Sequence, residues 1–192
     1  MNWLASARVR TPYQSAVRLL QFAEAGPEDV LVDLGSGDGT IPNLAALVFG
    51  VKKAWGVETD EEGVSRSEEI ARALGLTRER VEFVCGDMFS FGLEGFSVAT
   101  VFQSEDAVEK LLGKLMRELV PGARVVSYLL PLGTMSPLRM VRPSKVAHPF
   151  YLYRAPVEFL DQAGSVRLLE EISGHAEGAE REWAEVSAVA NR

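Results

Sequence analysis

Val30-Leu31-Val32-Asp33-Leu34-Gly35-Ser36-Gly37-Asp38-Gly39-Thr40 runs a short apolar segment straight into a glycine-rich turn. Its first five residues are valine or leucine apart from one acid, the pattern of a strand buried on both faces. Gly35, Gly37 and Gly39 can take positive φ and let the backbone approach a ligand closely, where a Cβ would obstruct it. Ile41 to Phe49 then reads as a helix, closed by Gly50. Its early Pro42 is tolerated because first-turn N–H groups lack intrahelical partners. Strand, glycine turn and helix in this order predict the first unit of an α/β fold.

Spacing removes two readings of the loop. A Walker A loop ends in Gly-Lys-Ser/Thr, and this one ends Gly39-Thr40 with no lysine. The dinucleotide fingerprint places its third glycine three residues after the second, whereas here the glycines fall at every second residue. An acid opens the motif instead. Asp33 beside the loop would repel a pyrophosphate and suits a cationic or amine-bearing ligand.

Outward from the loop, the alternation repeats. Upstream, Thr11 reads as an N-cap and Pro12 as the first-turn proline of a helix to Ala25, with Ala16, Val17, Leu19, Leu20 and Ala23 at helical spacing. Downstream come Ala54 to Glu58 (strand), Glu61 to Leu74 (helix), Val81 to Val84 (strand), Val98 to Phe102 (strand), Ala107 to Leu119 (helix) and Arg124 to Leu130 (strand). The helix stripe Leu111, Leu112, Leu115 and Leu119 reads as core. Beyond Pro131 a Gly/Pro-rich loop is expected, then antiparallel strands at Phe150 to Arg154 and Trp183 to Ala190, with a short helix near Pro156 to Ala163. The predicted architecture is α/β: a doubly wound, mostly parallel seven-stranded sheet with helices on both faces. The 192 residues are expected to form one domain, with an N-terminal helix in 1–26, a ligand-binding core in 27–132 and late strands in 133–192.

Composition sets further limits. One cysteine, Cys85, excludes an intramolecular disulfide and any zinc or iron–sulfur site built on several cysteines. At an apolar strand end it reads as a small core residue. His148 and His175 are too few and too far apart for a metal site, so none is expected. The apolar run Val125 to Leu132 is far short of the roughly 20 residues a membrane span needs. MNWLASARVRTP lacks the basic-then-apolar order of a secretory signal, so a cytoplasmic protein is expected. A net charge of −7 argues against a general nucleic-acid binder. No DNA partner is expected and RNA is disfavoured, although Leu119 to Val157 holds five cations (Arg124, Arg139, Arg142, Lys145, Arg154) and no acid. That stretch reads as a solvated surface or as a basic rim.

Two more acids fall at strand ends. Glu58 lies 19 residues after Gly39, where a doubly wound fold presents a carboxylate to the vicinal hydroxyls of a ribose. Asp87, in Cys85-Gly86-Asp87-Met88-Phe89, has apolar neighbours able to sandwich an adenine while its carboxylate accepts from the exocyclic amine. Singly, each acid reads as a cap or a surface residue. Three at successive strand ends, together with the glycine loop, read as one binding site.

Asp33 to Gly39, Gly56-Val57-Glu58, Gly86-Asp87-Met88 and Leu119-Val120-Pro121-Gly122-Ala123-Arg124-Val125-Val126 resemble the successive motifs of class I S-adenosyl-L-methionine-dependent methyltransferases. The resemblance covers about residues 27–132. It implies a cofactor site made of Asp33, Gly35, Ser36, Gly37, Asp38, Gly39, Glu58, Thr59, Gly86, Asp87 and Met88. In it the glycine loop cradles the methionine moiety, Asp33 lies near its amine, Glu58 holds the ribose, and Asp87 and Met88 fix the adenine. Thr11-Pro12, Glu109-Lys110-Leu111, Leu115 to Leu119, Arg124-Val125-Val126-Ser127 and Tyr151-Leu152-Tyr153-Arg154 are further similar to compact protein-lysine methyltransferases. These include broad-specificity archaeal enzymes and relatives acting on mitochondrial inner-membrane proteins.

The chain departs from that group on the acceptor side. The group carries aromatic residues at the end of the fourth strand and a His-Asp pair after the Arg-Val-Val-Ser phrase; here stand Gln103-Ser104 and Tyr128-Leu129. Gln103, Ser104, Tyr128 and Tyr13 are the candidate acceptor-channel residues, Tyr128 reading equally as an inward strand aromatic. The resemblance implies a protein-lysine acceptor, with a small-molecule or RNA acceptor, or a cofactor-binding pseudoenzyme, as alternatives.

Overall fold

The structure, a computed structural model, describes residues 11–132, 139–141 and 149–155. Its strands are β1 (Val30–Leu34), β2 (Lys53–Glu58), β3 (Val81–Cys85), β4 (Val98–Val101), β5 (Arg124–Tyr128), β6 (Arg139–Val141) and β7 (Phe150–Arg154). They form one seven-stranded sheet in the order β3-β2-β1-β4-β5-β7-β6. β1 to β5 pair in parallel, while β7 runs antiparallel between β5 and β6. The helices are α1 (Tyr13–Phe22), α2 (Thr40–Leu47), α3 (Glu61–Ala73) and α4 (Glu105–Glu118).

Strand alternation sorts the core into two layers. On one face Val32, Leu34, Ala99, Val101, Val125, Tyr151 and Tyr153 meet Leu111, Leu115 and Leu119 of α4 and its end. On the other, Leu31, Ala54, Val98, Val126, Tyr128, Phe150 and Leu152 meet Leu19 and Leu20 of α1 and Ile41, Leu44 and Ala45 of α2. The period of two in strands dictates this split. The same period puts Asp33 and Thr100 on the second face, at the upper end of an otherwise apolar surface. The order of the sheet reverses between β1 and β4, and an open α/β sheet presents its crevice at the carboxyl ends of such a pair.

Several sequence expectations move. Pro12 is itself the N-cap of α1, with extended backbone (φ −57°, ψ 142°), and the helix ends at Phe22 rather than Ala25. Glu24, just beyond, takes φ 53° and turns the chain. α4 begins two residues early because Ser104, with φ −64° and ψ 159°, serves as its N-cap. β6 occupies part of the stretch expected to be loop, and three residues of it suffice because β7 supplies the pairing. The strand expected at 183–190 and the helix expected at 156–163 lie outside the described residues.

Arg124 leaves the basic rim for the interior. Its Nη1 donates to the carbonyls of Ala23 (2.8 Å) and Glu24 (2.7 Å), and its Nη2 pairs with Asp29 Oδ1. Asp29 also accepts from Ser97 Oγ at 2.8 Å and from the Gly26 amide at 2.9 Å. This cluster ties the end of α1 to the lower ends of β1, β4 and β5. Cys85 is exposed, not core, because it is the last residue of an edge strand.

Candidate functional site

The loops at the carboxyl ends of β1 to β4 enclose a cleft of about 450 Å³. That volume suits a small molecule of cofactor size. Asp33 of β1 and Gly35, Ser36, Gly37 and Asp38 of the loop after it line the cleft, with Glu58 of β2 and Thr59 after it, Gly86, Asp87 and Met88 after β3, and Gln103 and Ser104 after β4. Ten of the eleven residues of the expected cofactor site thus converge.

Gly39 is the exception. A Cβ there would stand 2.7 Å from the Phe83 ring and 2.8 Å from Ser67 Cβ, at φ +74°. Its part is to let α2 leave the loop against α3 and β3. Gly39→Ala is therefore expected to cost about 1–3 kcal/mol through overpacking and strain, read as a lowered urea midpoint.

The first loop is spliced onto β2. The amides of Gly35 and Ser36 both donate to the Val57 carbonyl, at 2.9 and 3.0 Å, and the Gly37 amide donates to Glu58 Oε2 at 2.9 Å. Glu58 Oε1 accepts from the amides of Thr59 (2.9 Å) and Asp60 (3.1 Å). This carboxylate is held at the cleft wall by backbone, and Oε2 retains a free lone pair. Asp38 Oδ1 accepts from the Thr40 hydroxyl at 2.7 Å, and Asp87 Oδ1 from the Phe89 amide at 2.9 Å, shaping the two neighbouring turns.

Asp33 is the buried acid of the cleft, 4% exposed, with Thr100 Oγ1 donating to its Oδ1 at 2.6 Å. Burial pushes its carboxyl up from 3.8 to about 7, against the Thr100 hydrogen bond, with the charges of Glu58 and Asp38 adding to the rise. A cation placed nearby would restore its charged form. Ser36 Oγ is likewise buried and has no partner among the described residues. It lies where a Cβ on Gly56 would come within 2.6 Å of it, so Gly56 of β2 leaves it room. An orphaned hydroxyl, a buried carboxyl that a nearby cation would ionise and the open space around Gly37 fit a cationic, hydroxyl-bearing ligand.

The expected acceptor channel is only partly realised. Tyr128 is buried, its ring tilted against Phe102 at 4.8 Å and against Phe150 at 5.1 Å, with its hydroxyl donating to Ser15 Oγ at 3.3 Å. It supports Phe102, which does line the cleft. Tyr13 opens α1 with 62% of its surface exposed and lies off the lining, while its near neighbour Thr11 is part of it. Sequence reasoning missed Asp60, Gly63 and Arg66. The signal for the first two was there, since Asp60 caps α3 through the Gly63 amide at 2.9 Å. A Cβ on Gly63 would press on the Gly37 carbonyl at 3.1 Å.

A family model described as the ANTKMT methyltransferase domain matches residues 33–139. The chain belongs to this methyltransferase family. It is 35% identical to a protein-lysine N-methyltransferase of Saccharolobus islandicus (strain REY15A), over 76% of this chain and 91% of that protein. It is 33% identical to the adenine nucleotide translocase lysine N-methyltransferase of Mus musculus, over 70% of this chain, and spans 59% of the mouse protein's length. Among solved structures, an RNA methyltransferase from Salinibacter ruber in complex with S-adenosyl-L-homocysteine superposes with a TM-score of 0.73 at 32% identity, covering 80% of this chain and 97% of that one. The protein is an S-adenosylmethionine-dependent methyltransferase, and S-adenosylmethionine is its cofactor. No helix among the described residues is long and apolar enough to cross a membrane.

Proposed function

We propose that this methyltransferase modifies lysine side chains of protein. The observation that carries the reading is the similarity along 91% of the archaeal protein-lysine N-methyltransferase. In this reading the loop Gly35 to Asp38 and Asp33 hold the methionine end of the cofactor, Glu58 and Thr59 its ribose, and Gly86, Asp87 and Met88 its adenine. The bound cofactor supplies an electrophilic methyl group on a sulfonium.

This chain's own residues then have modest work to do. They align the nucleophile with the bond to be broken, which supplies most of the acceleration. They also favour the neutral amine over the ammonium. Phe102, backed by Tyr128 and Phe150, gives the β4 side of the cleft an apolar wall that disfavours a charged lysine. A cytoplasmic site of action belongs to the same proposal, since a single exposed thiol suits a reducing compartment.

Two measurements test it. Asp87 is exposed, so Asp87→Ala is expected to fold normally and weaken S-adenosylhomocysteine binding at least about tenfold by calorimetry, the worth of one hydrogen bond to a charged group. Full retained affinity would contradict the adenine assignment. Incubation with radiolabelled S-adenosylmethionine and cell lysate, followed by acid hydrolysis of labelled protein, is expected to yield methyl-lysine. A second reading, an RNA acceptor, is favoured by the likeness to the Salinibacter ruber enzyme. Label confined to RNA in the same experiment would establish it and end the lysine reading. The net charge of −7 weighs against it.

A further inference from the structure

We infer that Gln103 holds the target amine through its carbonyl oxygen, and that the turn at Leu34 and Gly35 fixes its carboxamide in the orientation this requires. The inference rests on the lysine reading above. Gln103 follows β4 by two residues and lines the cleft at the point where the sheet order reverses. Its Nε2 donates to the Leu34 carbonyl at 3.0 Å. A Cβ on Gly35 would collide with that same nitrogen, so the carboxamide lies flush on the turn and only glycine admits it there. Because the Leu34 carbonyl can only accept, the nitrogen must face it and Oε1 must face away. Oε1 takes no hydrogen bond among the described residues.

The cleft's carboxylates are all engaged by other donors, and none of them is supplied by β4 or the loop after it. Asp33 is held by Thr100, Asp38 by Thr40, Glu58 by three backbone amides, Asp60 by Gly63 and Asp87 by Phe89. Asp33 belongs to β1, Glu58 to β2, and the other three to the loops after β1, β2 and β3. The polar side chains lining the β4 end, Gln103 and Ser104, are neutral. This neutrality has a chemical use. A carboxylate beside a lysine would stabilise the ammonium and suppress the nucleophile, whereas an amide oxygen accepts an N–H from the free amine without that penalty. Held by one N–H, the amine can aim its lone pair at the methyl carbon. The N–C bond forms as the C–S bond breaks, the electron pair stays on sulfur, and the product ammonium loses its proton to water.

The arrangement also counts methyl groups. A neutral primary amine offers two N–H bonds and a monomethyl amine one, but a dimethyl amine offers none. Gln103 therefore assists the first and second transfers and not the third.

The test uses the full chain, S-adenosylhomocysteine for calorimetry, and radiolabelled S-adenosylmethionine with lysate protein hydrolysed to amino acids. Gln103→Leu is expected to slow formation of mono- and dimethyl-lysine about ten- to a hundredfold, as a misplaced nucleophile does. S-adenosylhomocysteine affinity should stay within about threefold of wild type, and conversion of dimethyl-lysine to trimethyl-lysine should be unchanged. Gln103→Glu is expected to move the pH–rate profile to the alkaline side by about one unit, since the added charge favours the ammonium. Rate and cofactor affinity falling together would overturn the inference by showing that Gln103 acts through the glycine loop; so would a rate held within twofold. If label enters RNA alone, the lysine reading fails, and the same ratio of rate to affinity, taken on the RNA label, still decides the role of Gln103.

Discussion

Asp33→Asn is expected to remove a pH-dependent loss of stability that reaches about 4 kcal/mol by neutral pH. The wild-type carboxyl titrates near 3.8 when unfolded and about 7 when buried, so between those values the folded chain binds more protons than the unfolded one. Stability contributed by the neutral acid is intact below pH 4 and is lost as pH rises through 7. Three units at 1.36 kcal/mol each give about 4 kcal/mol. Asparagine keeps the acceptor for Thr100 Oγ1 and carries no charge. The stability difference between variant and wild type, measured by urea unfolding at successive pH values, should therefore climb from pH 4 to pH 7 and then level off. A difference that stays flat with pH would show that Asp33 ionises freely in the folded state.

The same substitution should trade that stability for ligand affinity. In the proposed site the cofactor's positive charges favour the carboxylate, so wild-type binding below pH 7 releases a proton and strengthens as pH rises. The variant's carboxamide offers those charges no counter-ion. Its cofactor affinity at pH 8 should fall at least about tenfold, the scale of a charge-assisted contact, and lose its pH dependence. A buried acid of this kind illustrates how a functional site carries a cost to folding that the remaining structure must offset.

Arg124→Met is expected to destabilise the protein by about 3 kcal/mol, the lower end of the range for removing one partner of a buried ion pair. The side chains of Arg124 and Asp29 are only 15% and 9% exposed. Without the guanidinium, Asp29 retains Ser97 Oγ and the Gly26 amide as donors, which keeps the cost from running higher. The carbonyls of Ala23 and Glu24 lose their donor as well. Adding Asp29→Asn should recover part of the loss, because the uncompensated charge goes with it. In a double-mutant cycle the two substitutions should couple by more than about 1 kcal/mol, as contacting residues do; additive costs would show the pair to be dispensable.

Much of the site was legible because its signals are local. The strand into Gly35, the glycine spacing and the acids Glu58 and Asp87 at strand ends are patterns within a few residues of one another, and ten of the residues they named meet in the cleft. Gly39 carried the same signal for a different reason, since positive φ and close approach serve a helix and a phenyl ring as well as a ligand. Asp60 and Gly63 were hidden behind an ordinary capping pattern. Arg66 offered no pattern, being one basic residue on the exposed face of α3.

The misplacements came from questions that periodicity does not address. Tyr128 and Gln103 both lie near carboxyl ends of central strands, yet alternation turns Tyr128 down against Phe150 while the turn at Gly35 receives Gln103. Arg124 looked like a surface cation in an acid-free stretch and is instead satisfied by a carboxylate 95 residues away. Cys85 looked apolar by its neighbours, but β3 is an edge strand.

The amino-acid sequence by itself determined the α/β alternation, the first strand and its loop, and the identity of the acids beside it, because helix and strand periods and glycine conformations are short-range properties. Only the tertiary structure decided the strand order that reverses between β1 and β4, and with it which loops share a cleft, which acid is buried enough to titrate near neutrality and which glutamine faces the glycine turn. Those outcomes depend on pairings and desolvation between residues tens of positions apart, where burial, rather than local conformation, sets the energy.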